Sequence, residues 1–367
     1  MNTQKILYIN GGILNRGGIE SFMMNYYLHF DCSKLQIDFV VHGNTEGYYD
    51  NIIKERGSKI YYIPVKSQDY KGNIRALNEI FSTKNYKIVH SHMDAMSYIP
   101  LRLAKNANIP YRIAHSHNTN HLTNNPAKIL LNEYARFAVR NTATHFFACS
   151  EAAGKWLFGD TIFKKRGKII YNAIDIEKFL FNADLRNKIR KELNIDGKFV
   201  IGHVGRFDYQ KNHSFLIDIF ANVNKINKNT VLVLIGEGFL KKDIENKVNN
   251  LSLSNNVIFL GSRPDVNRLL NAFDVFLFPS KYEGLGLCLI EAQANSLPSL
   301  VANTITHEVF INNLLFKPII NPQIWVKDTL NAKRENNPNI YNEITENGYN
   351  IEIEAKQLQN FYLDLLS

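Results

Sequence analysis

The chain has 367 residues, of which 45% are hydrophobic and 21% charged; this is the balance of a globular protein, and the length suggests about two domains rather than one core. No apolar run approaches the ~20 residues needed to cross a bilayer, and the opening run Ile6-Leu7-Tyr8-Ile9 is too short for a secretion signal. Three cysteines without metal-ligand spacing (Cys32, Cys149, Cys288) exclude a disulfide framework and fit a cytoplasmic location.

The net charge of +9 is confined to one half: residues 1–180 hold 23 Lys/Arg against 14 Asp/Glu, and the remainder holds 20 of each. This bias fits a solvated basic face, or attraction to an anionic acceptor or to the inner surface of a membrane. The cations are scattered and no recognition module accompanies them, which argues against nucleic acid.

Short apolar runs alternate with helical patterns along the chain. Predicted strands in the first half cover residues 5–10, 37–42, 59–64, 87–92, 111–117 and 145–150, with helices at 19–29, 48–56, 73–81, 96–106 and 127–141. The basic run Lys164-Lys165-Arg166-Lys168 reads as a turn before a strand at 168–173, and a charged helix at 178–196 ends at Gly197. A second series of strands is predicted at 199–204, 230–235, 257–260, 275–278, 298–301 and 317–321, and an amphipathic helix at 355–366 closes the chain. The pattern predicts an α/β fold of two Rossmann-like units with a boundary near 174–198. Ligands in such sheets bind beyond the carboxyl ends of the strands, and Gly, Ser, His and Arg gather there in both series.

Four constellations at these strand ends can carry chemistry. Arg16-Gly17-Gly18 opens a glycine-rich helix start, which suits a phosphate. Its spacing is not the dinucleotide fingerprint, and a plain flexible loop is the competing reading. His90, His92, His115 and His117 end two strands. They can bind zinc, hydrogen-bond within the rim, or contact substrate; Asp94 is the acidic residue nearby. Gly205-Arg206 with Lys211 sets two cations five positions apart across a turn, where they can converge on a diphosphate. Glu283-Gly284-Leu285-Gly286-Leu287 opens a helix whose first amides favour an anion, and Glu291 lies on an apolar stretch of that helix. Two ribose hydroxyls would satisfy the Glu291 carboxylate, and so would a core cation. Arg263 ends a further strand of the second series.

Glu283 and Glu291, eight positions apart and separated by Gly284 and Gly286, resemble the E-x7-E motif of the retaining glycosyltransferases of family 4. Arg206 and Lys211, the loop at Gly17-Gly18, and Asn172-Ala173-Ile174-Asp175 resemble further elements of that family, in the same order. The resemblance spans residues 5–300 and is nearest to bacterial enzymes of capsular and exopolysaccharide synthesis. It implies the GT-B fold: two Rossmann-like domains facing across a cleft, with an acceptor domain at 1–175, a nucleotide-sugar domain at 176–350, and a C-terminal helix at 351–367 returning to the first domain.

The resemblance also implies roles. Arg206 and Lys211 hold the donor diphosphate, with Gly17, Gly18, Gly205 and Arg263 near the donor. Glu291 binds the ribose. Glu283 and the amides of Gly284, Leu285, Gly286 and Leu287 position the transferred sugar. His117, or else His115, contacts that sugar near the reacting carbon. Arg16, His92 and Asn118 contact sugar or acceptor. No cofactor is implied, since the nucleotide-sugar (a UDP-sugar by preference) is a substrate and the acceptor is a glycan or lipid-linked hydroxyl. No D-x-D motif occurs, so metal-independent transfer is expected. The family's Gly-Leu-Pro-Val is Ser296-Leu297-Pro298-Ser299 here, its Gly-Gly-x-x-Glu is replaced by Thr304 to Glu308, and residues 312–349 match poorly. An epimerase or a phosphorylase on the same fold, and a non-catalytic nucleotide-binding subunit, are the rival functions.

Overall fold

The computed structural model describes residues 4–83, 85–121, 123, 125–335 and 337–367. It contains two parallel sheets, as expected where helical crossovers separate successive strands. The first has seven strands: β1 (Gln4–Asn10), β2 (Leu35–His42), β3 (Ile60–Ile63), β4 (Ile88–His92), β5 (Tyr111–Ser116), β6 (His145–Ala148) and β7 (Gly167–Ile169). The second has six: β8 (Phe199–Val204), β9 (Thr230–Ile235), β10 (Val257–Phe259), β11 (Val275–Phe278), β12 (Ser299–Ala302) and β13 (Leu314–Lys317).

The strand orders are β3-β2-β1-β4-β5-β6-β7 and β10-β9-β8-β11-β12-β13. Each sheet therefore changes direction of winding beside its first strand, between β1 and β4 and between β8 and β11. That switch opens a crevice at the carboxyl ends of those strands. The register Asn10↔His92 brings the glycine-rich loop after β1 beside the first histidine doublet. In the second sheet the loops after β8 and β11 carry Arg206–Lys211 and Glu283–Gly286.

Two compact units contain these sheets. One comprises Met1–Ala173 with Ile351–Ser367, the other Ile174–Asn350. The C-terminal helix Ile351–Leu366 is thus part of the first core: Ile351, Ala355, Leu358 and Tyr362 are buried with Tyr8, Phe22, Tyr26 and Phe30. The hydroxyls of Tyr8 and Tyr362 lie 2.8 Å apart, and the Gln359 carboxamide oxygen accepts from the Asp31 amide at 2.8 Å.

Four local expectations are corrected. Lys164, Lys165 and Arg166 form the last turn of a helix, Asp160–Arg166, rather than a turn before a strand; cations suit that end of the helix dipole. The strand beyond it is only Gly167–Ile169. The helix expected over 178–196 is two, Ile176–Phe179 and Ala183–Glu192. Leu180 is extended between them, and the Asn182 side chain caps the second by accepting from the Leu185 amide at 2.9 Å. The last strand is Leu314–Lys317 rather than 317–321, since Pro318 has no amide to donate to a ladder. Ser296, standing where the family pattern has glycine, adopts φ +50°, at a cost of about 1 kcal/mol relative to glycine.

Leu358→Ala removes a buried side chain from the C-terminal helix and should destabilise the first unit by about 2–5 kcal/mol, whereas Ile353→Ala on the exposed face of the same helix should cost under about 0.5 kcal/mol. Urea unfolding curves of the two variants check this; equal midpoints would show that the helix is not part of that core.

Candidate active site

In the second unit the site begins where β8 runs out. The Gly205 amide donates to the Ile235 carbonyl at 2.9 Å, holding the turn against the end of β9. Gly236 lies at φ +145°, and a Cβ there would fall 2.1 Å from the Gly205 carbonyl oxygen, so only glycine allows the two loops to approach. Asp208 then folds the following turn: its carboxylate accepts from the Lys211 amide at 3.1 Å and from the Arg206 guanidinium at 3.0 Å. Asn212 takes the left-handed conformation at φ 57°, and helix His213–Ile226 follows.

Two side chains fasten this turn to the loop after β11. The Asn212 carboxamide donates to the Pro279 carbonyl at 3.2 Å, and that of Gln210 donates to the Tyr282 carbonyl at 3.0 Å. The Lys281 amide returns a bond to the Gln210 carbonyl at 2.8 Å. The fastening delivers the Lys211 ammonium to the Glu283 carboxylate at 2.7 Å, with both side chains largely shielded from solvent. The same ammonium sits 4.7 Å from the centre of the Phe278 ring. Burial alone would lower the Lys211 pKa, but the carboxylates of Glu283 and Asp208 outweigh it and raise it, so the lysine stays charged. Burial pushes the Cys288 thiol up to about 12, which keeps it a neutral neighbour.

Glycine also begins the next helix. Gly286, at φ +84°, is the N-cap of Leu287–Ala294, and no side chain caps the first-turn amides. Glu291 lies one turn in. Its carboxylate makes no hydrogen bond or ion pair among the described residues, and burial raises its pKa to about 7. Arg206 differs from Lys211 in being largely exposed, and it pairs with Asp208. Arg263 is not brought to this cluster. It makes a bidentate pair with Asp265 (2.8 and 2.8 Å) on the loop after the edge strand β10, two strands or about 10 Å from β8.

Sequence reasoning missed His203 and His213. His203 is fully buried under the Gly205 turn: its Nδ1 meets the Leu277 carbonyl at 2.7 Å, its Nε2 has no hydrogen-bond partner among the described residues, and burial lowers its pKa to about 4. His213 stacks on Phe207 with ring centres 4.0 Å apart, and neither of its ring nitrogens has a hydrogen-bond partner among the described residues. The available signal was position, since His203 is two residues before Gly205 and His213 opens the following helix.

In the first unit, Gly17 is the N-cap of helix Gly18–His29. The Asn10 carboxamide at the end of β1 donates to Glu20 at 3.0 Å and to the Gly12 carbonyl at 3.2 Å, fixing the loop between them. The Arg16 guanidinium lies 3.5 Å over the centre of the Tyr48 ring. The four histidines form a buried ladder. His90 stacks on His92 at 4.1 Å and His115 on His117 at 4.2 Å, while hydrogen bonds of 3.1 and 3.0 Å join His90 to His115 and His92 to His117. His90 also meets the Tyr362 hydroxyl at 2.7 Å.

His92 and His115 are closed off from solvent, so the direct ligand contact expected of them has no surface to act through; His117 is the member nearest the rim. Asp94, in a left-handed conformation at φ 46°, spends both oxygens locally. One accepts from the His117 amide at 2.6 Å and the other from the Asn118 carboxamide at 2.8 Å. It therefore positions His117 and Asn118 and is not free to act as a nucleophile. Nitrogen atoms of His90, His92 and His115 lie within 4.8 Å of one another, the one such group among the described residues. Their rings are stacked or nearly coplanar, and both His90 nitrogens are engaged, so the lone pairs do not converge on one point.

Two family models match successive parts of the chain: "Glycosyltransferase Family 4" over residues 16–178 and "Glycosyl transferases group 1" over residues 185–350. The putative glycosyltransferase EpsF of Bacillus subtilis (strain 168) is 33% identical, covering 98% of this chain and 96% of its own length. The chain belongs to this glycosyltransferase family. A UDP-Gal:alpha-D-GlcNAc-diphosphoundecaprenol alpha-1,3-galactosyltransferase of Escherichia coli is 27% identical over 79% of each chain. Among solved structures, HepE of Anabaena in complex with UDP and glucose superposes with a TM-score of 0.76 at 17% identity, covering 99% of both chains. The fold of this glycosyltransferase is accordingly GT-B, with two Rossmann-like units.

Burial holds the ladder histidines neutral, and His117 is lowered to about 3. The unfolded chain binds protons at these residues from about pH 6.5 downward and the folded chain does not, so stability falls as pH drops below 6.5. The slope is at most about 1.4 kcal/mol per pH unit for each histidine. Urea midpoints at pH 7 and 5.5 should differ accordingly, and a variant with His90 and His115 replaced by Gln should show a shallower slope.

Proposed function

We propose that this glycosyltransferase moves a sugar from a UDP-sugar to a hydroxyl of a glycan or lipid-linked acceptor, with retention of anomeric configuration and without a metal ion. The observation that carries this reading is the buried Lys211–Glu283 pair beside Arg206 and the uncapped start of helix Leu287–Ala294. A diphosphate needs fixed positive charge in a shielded place, and the charge must be stable before the ligand arrives. Glu283 supplies that stability to Lys211. Arg206 is exposed, and by exchanging Asp208 for the ligand it can swing onto the second phosphate. As the bond to the sugar breaks, negative charge grows on the leaving phosphate, where these cations stabilise the transition state more than the ground state. The departing phosphate then takes the acceptor's proton on the same face. The half-buried Glu291 suits the two ribose hydroxyls, and Glu283 and the amides at Gly284 to Leu287 suit the sugar. UDP in the HepE complex and the diphosphoundecaprenol acceptor in the name of the Escherichia coli relative support the choice of donor and acceptor class. Such a product would serve bacterial surface polysaccharide synthesis.

Lys211→Ala should lower kcat by about 100- to 1,000-fold, with Glu283→Ala comparably impaired. UDP release from a panel of UDP-sugars in excess EDTA measures both, and the anomeric configuration of the product is read by NMR. Full activity of Glu283→Ala, or activity lost in EDTA and restored by Mn²⁺, would overturn the mechanism. Donor affinity should also depend on pH. The Glu291 carboxyl of the free enzyme has its pKa near 7, and hydroxyls donate to its ionised form. Binding therefore expels a proton at low pH, and Kd should rise up to about tenfold per pH unit below 7 and be flat above it. Glu291→Gln should abolish that slope in calorimetric titrations with UDP.

A further inference from the structure

Helix Pro126–Val139 is inverted relative to an ordinary surface helix. Its inward side buries only small or medium residues, Ala135 and Val139. Its outward side carries Leu130, Leu131, Tyr134 and Phe137, which are 73%, 55%, 59% and 64% exposed. At 100° per residue these four fall within an arc of about 120°, so they form one continuous stripe. A contiguous apolar surface of this kind on a water-soluble face marks a place where something docks.

The surroundings of the stripe are basic. Tyr134 meets the Tyr98 ring edge-on at 5.7 Å, and the Arg102 guanidinium lies 5.5 Å over that same Tyr98 ring, which sets an exposed cation at the margin of the stripe. Lys128 is exposed on the first turn of the helix, and Lys105 is exposed on helix Tyr98–Asn106, which packs alongside. The acidic residue of the helix, Glu133, is neutralised by Arg136 at 2.5 Å and hydrogen-bonded to His121 at 2.7 Å. All of the chain's excess positive charge lies in this half of the sequence, 23 Lys/Arg against 14 Asp/Glu in residues 1–180.

We propose that this face docks the enzyme on an anionic lipid bilayer, with Leu130, Leu131, Tyr134 and Phe137 sunk to the level of the headgroups and Arg102, Lys105 and Lys128 over the lipid phosphates. The helix has 14 residues, about 21 Å, which is too short to span a bilayer, so it lies in the plane of the interface. Charge selects the occupant. A second copy of the same basic face would be repelled, whereas an anionic surface is attracted. The proposal goes beyond glycosyl transfer and does not depend on it, because its readout requires no donor, acceptor or turnover.

Cosedimentation of the full chain with vesicles tests it. The vesicles are phosphatidylcholine alone or with roughly one-third phosphatidylglycerol, at about 50 and 500 mM NaCl. Wild type should bind the anionic vesicles at low salt, and much less at high salt or on neutral vesicles. Leu130→Ser/Phe137→Ser should lower the partition coefficient about 100-fold with Tm unchanged, since both positions are already in solvent. Arg102→Glu/Lys128→Glu, which keeps the stripe, should lower binding to anionic vesicles and leave neutral vesicles unaffected. Wild type that ignores anionic vesicles, or a Leu130/Phe137 variant that binds as wild type does, would overturn the proposal. So would a wild-type dimer in light scattering that the same variant makes monomeric, since a second copy would then be the occupant.

Discussion

Lys211 and Glu283 are 72 residues apart, and the shielded lysine keeps its charge largely because that carboxylate is brought beside it. The second unit is arranged around that constraint. The short turn after β8 must carry Lys211 across to the loop after β11, and Asp208, Gln210 and Asn212 hold it there through backbone amides and carbonyls. The glycines at 205 and 236 remove side chains that would keep the loops apart. Such a pair contributes little net stability, because desolvation of both charges offsets their attraction. In the function proposed above, its value is readiness: a fixed cation is in place before an anionic ligand arrives, and the ligand need not reorganise the site to use it.

The first unit solves a different problem with neutral groups. Four imidazoles are buried together, and burial keeps them uncharged. Stacking and hydrogen bonds between them order the rim, and the Tyr362 hydroxyl from the C-terminal helix ends the ladder on one side. Asp94 ends it on the other by gripping the amide of His117. The last helix of the chain is therefore mechanically linked to the rim, which gives the C-terminus a part in ordering the candidate site of a distant segment.

Much of this was visible in the residue order. Strands β8, β9 and β11 match the predicted ranges to the residue, because each is a short run of branched and aromatic residues bounded by turn formers. Helix and strand ends were less legible where a cap or a proline decided them, as at Asn182 and Pro318, because their effect depends on the neighbouring backbone. The cations at 206 and 211 and the carboxylates at 283 and 291 stood out by spacing beside glycine. Arg263 was named only for ending a strand, and it is paired with Asp265 after the edge strand β10, because rank at a strand end does not say how far that strand is from the switch in winding.

By itself the sequence determined the alternation of strands and helices, the family pattern of the donor-side motifs and the concentration of positive charge in the first half. These are local properties, expressed within a few residues or as sums over a segment. Tertiary structure alone decided that Lys211 meets Glu283, that His117 rather than His115 reaches the rim, that Asp94 is a positioning group, and that the large apolar residues of helix Pro126–Val139 face outward. It also joined Tyr8 to Tyr362 across 354 positions. Partnership and exposure depend on which distant segments the packed core brings together, and no spacing along the chain encodes them one residue at a time.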